Sequence, residues 1–295
     1  MIAQYGPGRD LRPVCGADRP PCDHAAGFPL PSLPRGDTYR ALFLSDLHLG
    51  AAGSRAGMVL RFLKQMRADS VYFVGDTFDA GRMRPLHWTA DDDRLLERIL
   101  DMREHGTRIV RLPGNHDAGL TAGSASRVSG WAAAIGIAPR SLVHEAADGR
   151  RHLVTHGDIC DSALYRSAAM AQLGSTTSWL LRNLPLGTAG RATRLMDRAD
   201  MLLTRSKAMR RRLRAHAREA GFDGIVCGHL HVPALDRHDG MTYANCGDWV
   251  RNCAAVVEKA DGTFILVDFA DGKAARQAGA VPPACRARRF QGRVA

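Results

Sequence analysis

The 295-residue chain contains no apolar run near the length of about 18 residues that a membrane-spanning helix needs. Its first residues, MIAQYGPGRDLRPVCG, lack the apolar stretch behind basic residues that marks a secretory signal, so neither an integral nor a secreted protein is expected. None of the seven cysteines forms a CxxC pair, and their odd number points to reduced thiols in a cytoplasm rather than a disulfide framework or a structural thiolate metal site. Aromatic residues are only 6% of the chain and do not interleave with its basic runs, which argues against a dedicated nucleic-acid binder. There is no G-x-x-x-x-G-K-[ST] loop, no G-x-G-x-x-G after a strand and no G-x-S-x-G elbow, which removes three common routes to nucleotide or acyl chemistry.

Positive charge is abundant: 41 Lys and Arg against 30 Asp and Glu give a formal net charge of +11. An anionic partner follows, whether a phosphorylated substrate, an acidic membrane face or nucleic acid. The first 36 residues are proline-rich without apolar periodicity and read as a disordered leader. A single domain is expected over residues 37–272, with a basic helical insertion at 162–219 and a basic tail at 273–295. Within it, β-like runs (ALFLSD, SVYFVGD, RIVRLPGNHD, RHLVTHGD, DGIVCGH) alternate with helical spacing at Ala56 to Arg67 and Asp91 to His105, an α/β pattern. After Gly240 the runs MTYANCGD, AAVVEK and TFILVDF follow closely without helices, which predicts antiparallel pairing there. A layered sandwich of two sheets flanked by helices fits this order.

Five of the β-like runs end in a polar cluster able to hold metal: Asp46 and His48, Asp76 and Asp79, Asn115 with His116 and Asp117, His156 and Asp158, His229 and His231. Each cluster alone is unremarkable, since Asp and His at strand ends commonly cap backbone groups. Residues just past the carboxyl ends of strands share a crevice in an open α/β sheet, however, and five such clusters converge more naturally as one site. Carboxylate, imidazole and amide oxygen suit manganese, iron or zinc. Asp46, His48, Asp76, Asn115, His156, His229 and His231 are more donors than one ion with an open position can use. Two ions about 3.5–4 Å apart would use them, neutralising both the attacking and the leaving oxygen of a phosphoryl displacement.

The ordered set DLH, GDTFD, GNHD, HGD and GHLH resembles the calcineurin-like metallophosphoesterase superfamily over about Leu42 to His231. The resemblance implies a four-layer β-sandwich flanked by helices and two divalent ions, manganese first, with iron and zinc as alternatives. It implies that Asp46, His48, Asp76 and His231 hold one ion, and that Asp76, Asn115, His156 and His229 hold the other. His116 would face the phosphate and either stabilise charge or protonate the leaving oxygen, with Asp117 orienting its imidazole. Asp79 reads equally as a helix cap or as support for the site.

HGD followed by a long basic insertion, GHLHVP, and NCGDWVRNCAAVVE together are similar to the UDP-2,3-diacylglucosamine hydrolase group, which cleaves a nucleotide-lipid pyrophosphate in lipid A synthesis. This implies a phosphorylated nucleotide-lipid substrate and a cytoplasmic enzyme that meets the inner membrane peripherally. Residues expected near substrate are Asp161, Tyr165, Arg205, Lys207 and Arg211, although a solvated helical hairpin explains the basic ones equally well. Two alternatives stand beside this reading: the same site acting on another small phosphodiester or on nucleic acid, and a non-catalytic scaffold on the same fold.

Overall fold

A computed structural model describes residues 38–79, 87–119, 127–160, 207–269 and 276–281. The leader, most of the insertion and the end of the tail lie outside the described residues, as do Asp161, Tyr165 and Arg205.

Two mixed sheets lie face to face. The first has the order β11-β10-β9-β1-β2-β3, built from β1 (Thr38–Leu44), β2 (Arg67–Val74), β3 (Arg108–Leu112), β9 (Ala254–Glu258), β10 (Phe264–Asp268) and β11 (Arg276–Val281). The second has the order β4-β5-β6-β8-β7, from β4 (Ser141–Glu145), β5 (Arg151–Thr155), β6 (Gly224–Cys227), β7 (Ala234–His238) and β8 (Met241–Asn245). Strands β1, β2 and β3 are parallel, and so are β5, β6 and β8. The remaining pairs are antiparallel.

Alternation along the strands makes the layers. In β1, Leu42 and Leu44 face outward with Phe73 of β2, onto the apolar sides of α1 (Ala56–Gln65) and α2 (Ala90–Glu104). Ala41 and Phe43 face inward, where they meet Val154, Val226 and Ala244 of the second sheet. The outer face of the second sheet, Leu153, Ile225 and Tyr243, is covered by Met209, Leu213 and Ala217 of α4 (Lys207–Glu219). Helix, sheet, sheet, helix is the expected four-layer order. A third helix on the first sheet, α3 (Arg127–Ile135), contributes Val128, Ala132 and Ile135 to the same outer core. Helix α2 starts at a capping box in which Asp92 Oδ2 accepts from the Thr89 N–H at 2.8 Å and from its hydroxyl at 2.6 Å, with Asp91, Asp92 and Asp93 all in its positive first turn. Among the described residues no helix is long and apolar enough to cross a membrane.

Three strands depart from the sequence expectation. β4 and β7 are edge strands with partly exposed, polar-interrupted sequences, SLVHE and ALDRH, which dilutes the alternation that identifies a strand. β11 lies beyond residue 272, inside what the sequence assigns to the tail; its sequence RQAGAV has little strand propensity and is recruited by pairing with β10. The second half is also not uniformly antiparallel. β8 pairs in parallel with β6 because the chain makes the β7 hairpin arm first and returns between β6 and β7.

Between the sheets, away from the strand ends that carry the motifs, His152 of β5 is 1% exposed and packs 4.9 Å from the Phe264 ring, opposite His144 in register. Burial, and then the neighbouring His144, push its pKa from 6.5 down to about 4, against the weaker opposing pull of Asp148 and Asp223. As pH falls through 6.5 the unfolded chain takes this proton and the fold refuses it until about pH 4. Stability is therefore lost across that window, by about 3 kcal/mol when complete. Denaturant unfolding at pH 7, 5 and 4 is expected to show this loss in the parent, and an acid limb shallower by that amount in His152→Leu. Equal slopes for the two proteins would refute it.

Candidate metal centre

The central parallel strands of both sheets point their carboxyl ends to one edge of the sandwich. From the first sheet, the loops after β1, β2 and β3 bring Asp46 and His48, Asp76 and Asp79, and Asn115 with His116 and Asp117. From the second, the loops after β5 and β6 bring His156, and His229 with His231. The backbone at these loops is unusual. Asp46, His48, Asp76, His229 and His231 all have positive φ, between 48° and 66°, a region that residues with a β-carbon rarely occupy. The strain is held by cross-loop hydrogen bonds, the Asp46 N–H to the Gly75 carbonyl at 3.2 Å and the His48 N–H to the Asp76 carbonyl at 3.0 Å. Gly228, before His229, has no room for a side chain: a β-carbon there would lie 1.8 Å from Ser45 Oγ and 2.5 Å from Asp46 Oδ2.

The two buried carboxylates are arranged alike. Asp46 Oδ2 accepts from the Ser45 hydroxyl at 2.6 Å and from the His229 N–H at 2.9 Å. Its Oδ1 is buried without a hydrogen bond and faces His231 Nε2 at 3.3 Å and His48 Nε2 at 3.8 Å. Asp76 Oδ1 accepts from the His116 N–H at 2.7 Å, while Oδ2 faces His156 Nε2 at 3.3 Å and His48 Nε2 at 3.9 Å. His156 donates Nδ1–H to the Val74 carbonyl at 3.0 Å, which turns Nε2 toward Asp76 and toward Asn115 Oδ1 at 3.1 Å. The His229 ring stands 5.1 Å from that of His156, and the His231 ring 5.5 Å from that of His48. Each carboxylate thus has one oxygen tied down and one turned toward imidazole nitrogens. Asp46, His48 and His231 bring donor atoms within 4.8 Å of one another, and so do Asp46, Asp76 and His156.

The electrostatics agree with a cation-binding role. Burial raises the Asp76 pKa more than any single neighbour lowers it, but the charge and hydrogen bond of His156 together with the charges of His116 and His48 outweigh it and hold the carboxyl well below its ordinary value. Asp46 is lowered in the same way, with His231 the main opposing charge to its burial. Conversely, burial disfavours charge on His231 and His156, yet Asp46 and Asp248 together push His231 up to about 10, and Asp76 together with Asp46 raises His156 well above its usual range. His48, buried and beside His116, is lowered to about 4. The charge favoured on His156 and His231 balances that of the two carboxylates, and a cation held here would displace those protons.

Two expectations change at this site. The carboxylate that meets His116 is Asp79, whose Oδ1 lies 3.3 Å from Nδ1, so Asp79 supports this imidazole. Asp117 instead folds back into its own turn, where it accepts from the Gly114 and Phe78 N–H groups at 3.0 Å each, with Arg111 at 3.8 Å. Its proximity to those buried N–H groups is what diverts it from the ring. Burial, then the charge of Asp76, raise its pKa to about 6. Arg211 lies on the exposed side of α4, and of Lys207 only the backbone is described. Helix α4 itself packs against the turn Asp158–Cys160 that follows His156, where Arg140 pairs with Asp158 at 3.3 Å. One nearby residue has no assigned role in the sequence reading: Asp248, in the loop after β8, whose Oδ2 lies 3.5 Å from His231 Nδ1. Its signal is positional, since β8 is the sixth parallel strand and NCGD ends it as the other motifs end theirs.

A two-sheet sandwich carrying this donor set at the ends of its parallel strands is the framework of a phosphoester-hydrolysing metalloenzyme. The chain belongs to the calcineurin-like phosphoesterase family, whose model matches residues 39–233. It is 30% identical over 250 residues to a UDP-2,3-diacylglucosamine hydrolase of Pseudomonas aeruginosa, covering 75% of this chain and 95% of that protein. It is 29% identical over 235 residues to one of Azotobacter vinelandii, covering 71% and 90%. Among solved structures, Yfce, a phosphoesterase from E. coli, aligns over 83% of this chain and 99% of its own with a TM-score of 0.46 and 15% identity.

Proposed function

We propose that the protein hydrolyses the pyrophosphate of UDP-2,3-diacylglucosamine or a similar nucleotide-lipid, releasing UMP and a lipid phosphate, with two divalent cations held by Asp46, His48, Asp76, Asn115, His156, His229 and His231. The observation that carries the metal reading is the pairing of each buried carboxylate, one oxygen tied by hydrogen bonds and the other turned to imidazole nitrogens. The donors, carboxylate, imidazole and one amide, suit manganese, with iron and zinc the alternatives. When bound, such a pair would supply Lewis-acid charge at the attacking and the leaving oxygen of the displacement. The substrate reading is supported by relatives named for that hydrolysis and by the NCGDWV loop beside His231. In this reading the enzyme works in the cytoplasm at the inner face of the membrane.

The chain's own contribution is positional and protonic. His116, 22% exposed and at the mouth of the site, donates a proton to the leaving oxygen, and Asp79 holds its ring by Nδ1. Asp79→Asn is accordingly expected to lower kcat by about 10- to 100-fold with little change in KM. An unchanged kcat, or an effect confined to KM, would remove Asp79 from this role.

The substrate is tested by incubating manganese-loaded protein with UDP-2,3-diacylglucosamine and, separately, with bis-p-nitrophenyl phosphate, using Asn115→Ala as control. UMP release from the lipid, lost in the variant, is the expected result. Cleavage of the generic diester alone would retain the phosphoesterase and discard the lipid substrate.

A further inference from the structure

Six parallel strands end at the metal edge of the sandwich, and five of them deliver the residues just described. The sixth, β8, runs into the loop 246–253. Resting on the metal reading above, we infer that Asp248 and Asn252 of this loop are positioning residues that fix the imidazole of His231 for its cation.

His231 needs such a brace more than its neighbours. Its side chain is 31% exposed, against 9% for His48 and 0% for His156, and its backbone sits at a φ of 51°. Packing alone holds it weakly. Three contacts from the loop compensate. Asp248 Oδ2 stands 3.5 Å from Nδ1, the nitrogen opposite the one that faces Asp46, so a proton shared there leaves Nε2 free as a donor to a cation. Asn252 donates Nδ2–H to the His231 carbonyl at 2.8 Å and to Asp248 Oδ2 at 2.6 Å, tying main chain and carboxylate together. The Trp249 N–H donates to the Asp46 carbonyl at 3.1 Å, so the same loop grips the carboxylate residue across from the imidazole.

The brace is itself rigid. Asp248 is fully buried, and its Oδ1 accepts the N–H groups of Val250 at 2.8 Å and Asn252 at 3.3 Å as well as that of Arg251, closing a tight turn on the side chain. Trp249 is fully buried against Phe62 at 5.2 Å and Phe269 at 6.3 Å, which anchors the turn in the outer core of the first sheet. The two carboxylate oxygens therefore have separate duties. Oδ1 builds the loop, and Oδ2 addresses His231.

That division makes the inference testable with the full-length protein. Asp248→Asn can keep one acceptor for the turn but cannot also present a carboxylate oxygen to His231. Manganese affinity, measured by competition with a chelator, and manganese per chain after dialysis are read for the parent, Asp248→Asn, Asn252→Ala, His231→Ala and the double variant Asp248→Asn with His231→Ala. Thermal unfolding of each metal-free protein is recorded alongside. The expected result is a 10- to 100-fold weaker affinity in Asp248→Asn, a smaller loss in Asn252→Ala, parent-like metal-free Tm values, and no further loss when Asp248→Asn is added to His231→Ala. Unchanged affinity in both single variants, or a full additional loss in the double variant, would overturn the inference while leaving the metal reading intact. A misfolded Asp248→Asn shifts the decision to Asn252→Ala, whose unaltered affinity would overturn it too. A parent that binds no manganese would overturn both.

Discussion

Asp76→Asn is expected to reduce phosphodiester hydrolysis by about 10³-fold or more and to lower the metal content of the purified protein below that of the parent. The substitution keeps the shape of the side chain and an oxygen for the His116 N–H, which Asp76 Oδ1 accepts at 2.7 Å. What it removes is Oδ2, the atom that stands 3.3 Å from His156 Nε2 and 3.9 Å from His48 Nε2, between the two proposed cation positions. An amide nitrogen there is a donor and cannot ligate. Losing a shared ligand removes several kcal/mol of charge stabilisation at the reacting oxygens, and each 1.36 kcal/mol is tenfold in rate. Initial rates on bis-p-nitrophenyl phosphate, with metal per chain by elemental analysis, check it. Activity within tenfold of the parent would exclude a bridging role for Asp76.

Gly114→Ala, at a residue with no side chain of its own, is expected to cost about 100-fold in the same rate and about 1–3 kcal/mol in stability. A β-carbon on Gly114 would lie 2.1 Å from Asp76 Oδ1 and 2.4 Å from the Asp76 backbone nitrogen. A flexible side chain could swing aside from such a clash, but a backbone nitrogen at the end of a central strand cannot. The loop carrying Asn115 and His116 must therefore retreat from β2, which pulls Asn115 from His156 and breaks the His116 N–H bond to Asp76. Gly106→Ala is the matching control: its φ is 93°, with nothing within 4 Å of the added carbon. It is expected to lose roughly 1 kcal/mol from backbone strain and keep parental kcat. Equal kcat in the two variants would show that the Gly114 contact does not govern the geometry.

Much of this was legible in the sequence because strand ends and ligands coincide. The runs ALFLSD, SVYFVGD and RIVRLPGNHD announce both a buried strand and the donors that follow it, and the structure places Asp46, Asp76 and Asn115 together on that basis. Of the four edge strands only β3 was legible; β4, β7 and β11 owe their conformation to their neighbours rather than to propensity. Nor could spacing decide between Asp79 and Asp117 as the partner of His116. Both lie close to it in space, and the choice is made by buried N–H groups of residues 78 and 114 that claim Asp117 first. NCGDWV carried the subgroup resemblance, but nothing in it put Asp248 at the site until the sheet order revealed that β8 runs parallel to β6.

The donors come from both halves of the sandwich, Asp46, His48, Asp76 and Asn115 from the first sheet and His156, His229 and His231 from the second. Cations held among them would act as rivets across the seam between the sheets. Their removal would then loosen more than the chemistry, since whatever binds only the closed sandwich stabilises it by about 2.7 kcal/mol at a hundredfold excess over its Kd. Resistance of this protein to heat and proteolysis would track the metal supply of its surroundings, making the folded lifetime of the chain a readout of whether it is armed.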